Sequence, residues 1–99
     1  MSQSTEIKEE EMATSVENVP GWTTIEGPKL QRRFEFRDFV EAFAFMTKVA
    51  LIAESMDHHP DWTNVYNVVT VTLYKHDTAI ISAKDFDLAR KINTLFNEY

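Results

Sequence analysis

Three histidines make up the imidazole complement of this 99-residue chain, and they fall at two places, His58-His59 and His76. Acidic side chains stand near both: Glu54, Asp57 and Asp61 around the pair, Asp77 and Asp85 after the third. An imidazole titrates near ~6.5, so at neutral pH it can give or take a proton, and a neighbouring carboxylate sets its tautomer and charge. The set therefore suits general acid–base catalysis. A zinc ion could use the same groups, but adjacent histidines rarely aim at one ion, and neither a His-x-x-x-His nor a His-Glu-x-x-His spacing occurs. No metal is expected. The chain has no cysteine, which excludes thiolate zinc sites, disulfides and a cysteine nucleophile, and suits a reducing compartment. No serine lies in a nucleophile-elbow context, and Gly21 and Gly27 are too few for a phosphate-cradling loop.

These residues need a scaffold, and the composition limits it. With 43% hydrophobic and 26% charged residues the chain fits one small globular domain, whose thin core favours self-association. A formal charge of −6 argues against direct nucleic-acid binding. No apolar run approaches the ~20 residues of a membrane span. Residues 1–20 hold five acids and one lysine, so they read as an acidic leader and not as a signal peptide. A short helix capped by Ser4 or Thr5 and running through Val16 would have little to bury there, and should fray. The domain proper is expected over 21–99.

Trp22–Ile25 and Leu30–Phe36 read as an antiparallel hairpin turned by Gly27-Pro28, with Leu30, Arg32, Phe34 and Phe36 on one face. Asp38, with Glu41 three residues on, marks the start of a helix over Phe39–Glu54. Phe39, Phe43, Met46, Ala50 and Ala53 form one apolar stripe of it, and Val40, Phe45, Val49 and Ile52 lie off that stripe. A helix apolar nearly all round needs cover on more than one side, from the core and from a subunit contact. In the β-rich stretch Asn64–Lys75, Val69, Val71 and Leu73 alternate with Thr70, Thr72 and Tyr74, and the adjacent Val68 and Val69 place a turn or bulge after Val65-Tyr66. Ser82-Ala-Lys-Asp85 opens a last helix that buries Phe86, Ala89, Ile92 and Phe96. The predicted order is (α)-β-β-α-β-β-α. It gives an α+β two-layer sandwich, a four-stranded antiparallel sheet with helices on one face.

Glu54-Ser-Met-Asp-His58-His59-Pro60-Asp-Trp62, Asn64-Val-Tyr66-Asn67, Val71-Thr-Leu73, His76 and Asp85 together resemble the pterin-4a-carbinolamine dehydratase family. Gly21-Trp22, Ile25-Glu-Gly27, Phe34-Glu-Phe36, Asp38-Phe39 and Ala42–Leu51 extend the resemblance, especially to animal-type members. It runs from about Gly21 to Ile92. The resemblance implies the same sandwich, and assembly into dimers or tetramers through sheets and helices. It implies conversion of 4a-hydroxytetrahydrobiopterin to quinonoid dihydrobiopterin, in tetrahydrobiopterin recycling. Loss of the 4a-hydroxyl needs a proton delivered to the departing oxygen and one taken from the ring, and no cofactor or metal.

By resemblance, His58 and His76 form the acid–base pair and His59 mainly binds substrate. Glu54 and Asp85 support them, and Pro60, Lys75, His76, Asp77 and Thr78 shape the pterin pocket with the histidine pair. Lys75 and Ala79-Ile80 depart from the family, which usually has a small hydroxyl residue before the third histidine and often a glycine beyond it; both changes touch the pocket wall. The family also implies a cytoplasmic and nuclear setting, and a second role as dimerisation cofactor of a homeodomain transcription factor. A catalytically silent scaffold or protein-binding module on the same fold is the alternative.

Overall fold

The computed structural model describes residues 16–77 and 80–99. The expected leader helix lies mostly outside them, although Val16 and Glu17 are helical and Val19 is fully buried. Strands β1 (Thr23–Ile25) and β2 (Lys29–Glu35) form the first hairpin, and helix α1 runs over Phe39–Met56. Strands β3 (Asp61–Val65) and β4 (Val68–Leu73) form the second hairpin, and helix α2 spans Ala83–Phe96. All pairings are antiparallel, in the order β1-β2-β4-β3. The two hairpins thus meet along β2 and β4, with Leu30 opposite Leu73 and Phe34 opposite Val69. The sandwich expected from the patterning is the fold observed.

Period-two alternation explains which face of the sheet is covered. Leu30, Phe34, Val69, Val71 and Leu73 are buried with Phe45, Val49, Leu88 and Ile92 of the helices. On the opposite face Gln31 donates from Nε2 to Thr72 Oγ1 across the strands at 3.1 Å. The turn expected after Val65-Tyr66 is the tight Tyr66-Asn67 connection, with Tyr66 at φ 51°. Asn67 fastens it to the first hairpin, donating from Nδ2 to the Phe36 carbonyl at 2.8 Å while its own carbonyl accepts from Phe36 N at 2.9 Å.

Asp38 caps α1 by accepting from Glu41 N at 2.8 Å, and Glu41 reaches back to accept from Arg37 N at 2.8 Å. This reciprocal arrangement is the capping-box logic shifted by one residue on the return contact. The helix then sorts its apolar residues differently from the expected stripe. Ala42, Phe45, Val49 and Ala53 face the core, whereas Phe39, Val40, Phe43 and Leu51 are 46%, 75%, 53% and 69% exposed. One apolar side of α1 is covered by the domain and the other faces outward.

Phe34 lies at the centre of the core, its ring centroid 6.0 Å from Trp22, 5.0 Å from Phe45 and 4.9 Å from Phe96. Phe34→Ala is expected to cost about 3–5 kcal/mol in urea unfolding, the range for deleting a buried aromatic. A cost below ~1 kcal/mol would mean that this cluster does not hold the layers together. Beside it, Arg32 Nη1 donates to the Pro20 carbonyl at 3.0 Å and to Asn93 Oδ1 at 2.7 Å, and burial pushes the guanidinium below its ordinary value. Trp22 Nε1 also donates to Asn93 Oδ1, at 2.8 Å. One α2 amide therefore ties β2, the entry to β1 and the preceding segment together.

Candidate active site

The histidine pair is presented by the way α1 ends. Asp57 adopts the left-handed conformation (φ 51°, ψ 45°), its N–H bonding the Glu54 carbonyl at 3.1 Å while His58 N bonds the Ala53 carbonyl at 3.1 Å. This is the Schellman pattern, in which the residue after the left-handed one is turned back towards the helix it has left. His58 and His59 consequently stand where α1, β3 and the start of α2 converge.

Asp85, in the first turn of α2, meets His58 from the other side. Its Oδ1 accepts from His58 Nε2 at 2.5 Å. The His58 side chain is 11% exposed and that of Asp85 is fully buried. A carboxylate accepting from Nε2 assigns the proton to that nitrogen and leaves Nδ1 as the ring nitrogen that carries the lone pair. His59 Nε2 pairs with Glu54 Oε1 at 2.9 Å, but here the side chains are 52% and 80% exposed. The two neighbouring imidazoles have carboxylate partners in opposite environments, one dry and one wet.

His76 reaches the same place from the end of β4. Lys75 bridges to Ile80, its N–H bonding the Ile80 carbonyl at 2.5 Å, and so closes a small loop that carries His76 and Asp77. The His76 ring packs 4.8 Å from Tyr74, whose other neighbour is Lys29 Nζ at 4.4 Å from the ring centre. His58, His59, Lys75, His76 and Asp77 line one open cavity of about 360 Å³, with Asp57, Tyr74 and Lys84. That volume lies at the small end of the ~300–1,000 Å³ typical of ligand sites and suits a compact ring system.

Of the residues expected at the site, Asp85 and Glu54 stand behind the histidines and not in the cavity wall, and Pro60 is also outside the wall. Thr78 and Ala79 lie outside the described residues. Tyr74 and Lys84 were not expected. Tyr74 sits where the β4 alternation gives way to the loop, and Lys84 lies one residue before Asp85, donating from Nζ to the Met56 carbonyl at 3.4 Å. The sequence signal for Lys84 was its place in the first turn of the helix that supplies Asp85. Among the described residues, no three His, Asp or Glu side chains converge as a metal-holding group.

A four-stranded antiparallel sheet backed by two helices, with imidazoles gathered at the ends of α1 and β4, defines a small α+β domain of the pterin dehydratase-like fold. Residues 5–95 match the sequence model of the Pterin 4 alpha carbinolamine dehydratase family, and the chain belongs to that family. A provisionally named pterin-4-alpha-carbinolamine dehydratase of Prochlorococcus marinus (strain MIT 9313) is 51% identical over 86 residues, covering 87% of this chain and 88% of that protein. One of the same provisional name from Solibacter usitatus is 47% identical over 91 residues, covering 92% and 95%. The crystal structure of a transcriptional coactivator/pterin dehydratase from Brucella melitensis superimposes with a TM-score of 0.87 at 40% identity, covering 92% of this chain and 98% of that one. A pterin dehydratase-like protein identified as a RuBisCO assembly factor in the alpha-carboxysome shares the fold, with a TM-score of 0.66 at 22% identity over 77% and 89% of the two chains. Family membership supports a dehydratase-type enzyme.

Proposed function

We propose that this protein dehydrates 4a-hydroxytetrahydrobiopterin to quinonoid dihydrobiopterin by histidine acid–base catalysis and so serves tetrahydrobiopterin recycling. The observation that carries the reading is the His58–Asp85 pair, whose histidine lines the same cavity as His76. In the reaction the C4a–O bond breaks as a ring-nitrogen lone pair pushes in, the oxygen leaves as water after taking a proton, and the ring nitrogen loses its own proton. One imidazole donates and another accepts, each transfer contributing roughly 10²–10⁴-fold. His58 and His76 take these roles on the two sides of the pterin. His59, held by Glu54 at the wet rim, binds the substrate; Lys75, Asp77 and Thr78 complete the pocket, with Pro60 setting the turn into β3.

Purified protein is expected to accelerate the loss of carbinolamine absorbance over the spontaneous reaction, with no effect of a chelator. A rate equal to the spontaneous one would sink the assignment.

The chain also assembles with itself, as a dimer or tetramer, in this reading. Its support is the outward apolar side of α1 and the edge strand β3, where Val65 is 74% exposed. Phe43→Glu places a charge on that side of α1 and is expected to lower the mass seen by analytical ultracentrifugation; an unchanged mass would remove the helix from the interface. The Brucella relative is named as a coactivator as well as a dehydratase. A second role as dimerisation cofactor of a homeodomain transcription factor, in a protein found in cytoplasm and nucleus, would use the same helical surface. No stable partner in a pull-down with such a factor would count against it.

A further inference from the structure

The geometry points to Ser82 as a positioning residue for His58, acting through Asp85. This rests on the acid–base reading of His58 and adds to it a residue outside the cavity wall. Ser82 is fully buried at the N-cap of α2. Its N–H donates to Asp85 Oδ2 at 2.7 Å and its hydroxyl donates to the same oxygen at 3.1 Å. Asp85 Oδ1 is left for His58 Nε2. Three donors thus converge on one buried carboxylate, two on one oxygen and one on the other.

A carboxylate is symmetric about its axis, and nothing in its own chemistry says which oxygen faces the histidine or at what angle. The pair of Ser82 donors removes that freedom. Oδ2 is pinned within the helix cap, the carboxylate plane is fixed, and Oδ1 is presented to His58 along one direction. That direction keeps the proton on Nε2 and the lone pair on Nδ1. With the hydroxyl absent, Asp85 keeps only the backbone donor on Oδ2 and can swing, and the imidazole samples the other tautomer, whose lone pair is on Nε2, the nitrogen that faces Asp85. An ordinary helix-capping serine would contribute to stability alone. Here the cap's acidic member is also the histidine's partner, so the cap acts on the proton-transfer group.

The test is side-chain ¹⁵N spectroscopy of histidine-labelled protein, together with steady-state kinetics, on Ser82→Ala and Ser82→Gly. Glycine is nearly as good an N-cap as serine and keeps the backbone donor, so it isolates the hydroxyl if the alanine variant fails to fold. In the wild type His58 should show one pyrrole-like and one pyridine-like nitrogen, the former being Nε2. In either folded variant the two signals are expected to move towards each other and kcat to fall about 10-fold, the worth of one hydrogen bond, at unchanged KM. Folded variants with His58 signals at the wild-type positions would overturn the proposal. If the wild type proves inactive on the carbinolamine while the signals still move on substitution, the positioning role stands and the dehydration reading falls.

Discussion

The doubly substituted protein His58→Gln/His76→Gln is expected to lose at least about 10³-fold in kcat for carbinolamine dehydration while keeping its fold. The size follows from removing both proton-transfer groups, each worth roughly 10²–10⁴-fold, with less than full additivity because they act on one event. The fold should survive for two separate reasons. His76 is exposed on a loop, so its removal opens no core cavity. A glutamine in place of His58 can still direct an amide N–H at Asp85, so the buried carboxylate does not lose its partner outright. Stopped-flow decay of the carbinolamine, read beside circular dichroism and the urea midpoint, separates the two effects. A folded double variant within about 10-fold of wild type would show that other groups move the protons. The companion His59→Gln change should raise KM more than it lowers kcat, since that ring stands at the exposed rim.

Asp85→Ala should give the largest loss of stability of any single polar substitution at the site. The carboxylate is fully buried and accepts from Ser82 N, Ser82 Oγ and His58 Nε2. Alanine leaves these donors without an acceptor in a dry place, and an unsatisfied buried donor costs about 1–3 kcal/mol. With the three donors at the low end of that range and a cap contribution of about 1 kcal/mol, the total is expected near ~4 kcal/mol, a fall in Tm of roughly 20 °C for a domain of this size. Activity should fall at temperatures where the variant is still folded, because His58 loses what fixes its tautomer. Glu54→Ala is the contrast: its pair with His59 is largely exposed and should be worth less than ~1 kcal/mol. Equal losses at Asp85 and Glu54 would contradict the distinction between dry and wet pairs drawn from their burial.

Where spacing alone decides geometry, the sequence was a sufficient guide. Alternation in Val69–Leu73, the Asp38/Glu41 helix start and the Ser82/Asp85 pair each follow from local rules, and the structure shows the strand, the helix and the cap they require. The same is true of where the histidines fall, because ends of elements can be read from periodicity. Division of labour between the two sides of α1 was not legible. Helical spacing places Phe39, Phe43, Met46, Ala50 and Ala53 in one band, but which band meets the sheet depends on the angle at which the helix lies across it, a tertiary property. Thus Phe45 is fully buried and Phe43 is 53% exposed, although both are phenylalanines in one apolar helix. Tyr74 and Lys84 escaped for a related reason. Each lies beside a recognisable signal, and only the folding that brings the end of β4 beside the end of α1 and the start of α2 turns them into walls of one cavity.

The clasp on Asn93 gives the molecule an internal optical probe. Trp22 is 3% exposed and donates its indole N–H to Asn93 on α2, while Trp62 is only partly buried on the edge strand β3. The two indoles should therefore emit at different wavelengths. In a Trp62→Phe background the remaining fluorophore would report solely on whether α2 is seated against the sheet. Since α2 also brings Asp85 to His58, the loss of that emission would time the disassembly of the histidine's support from within the protein.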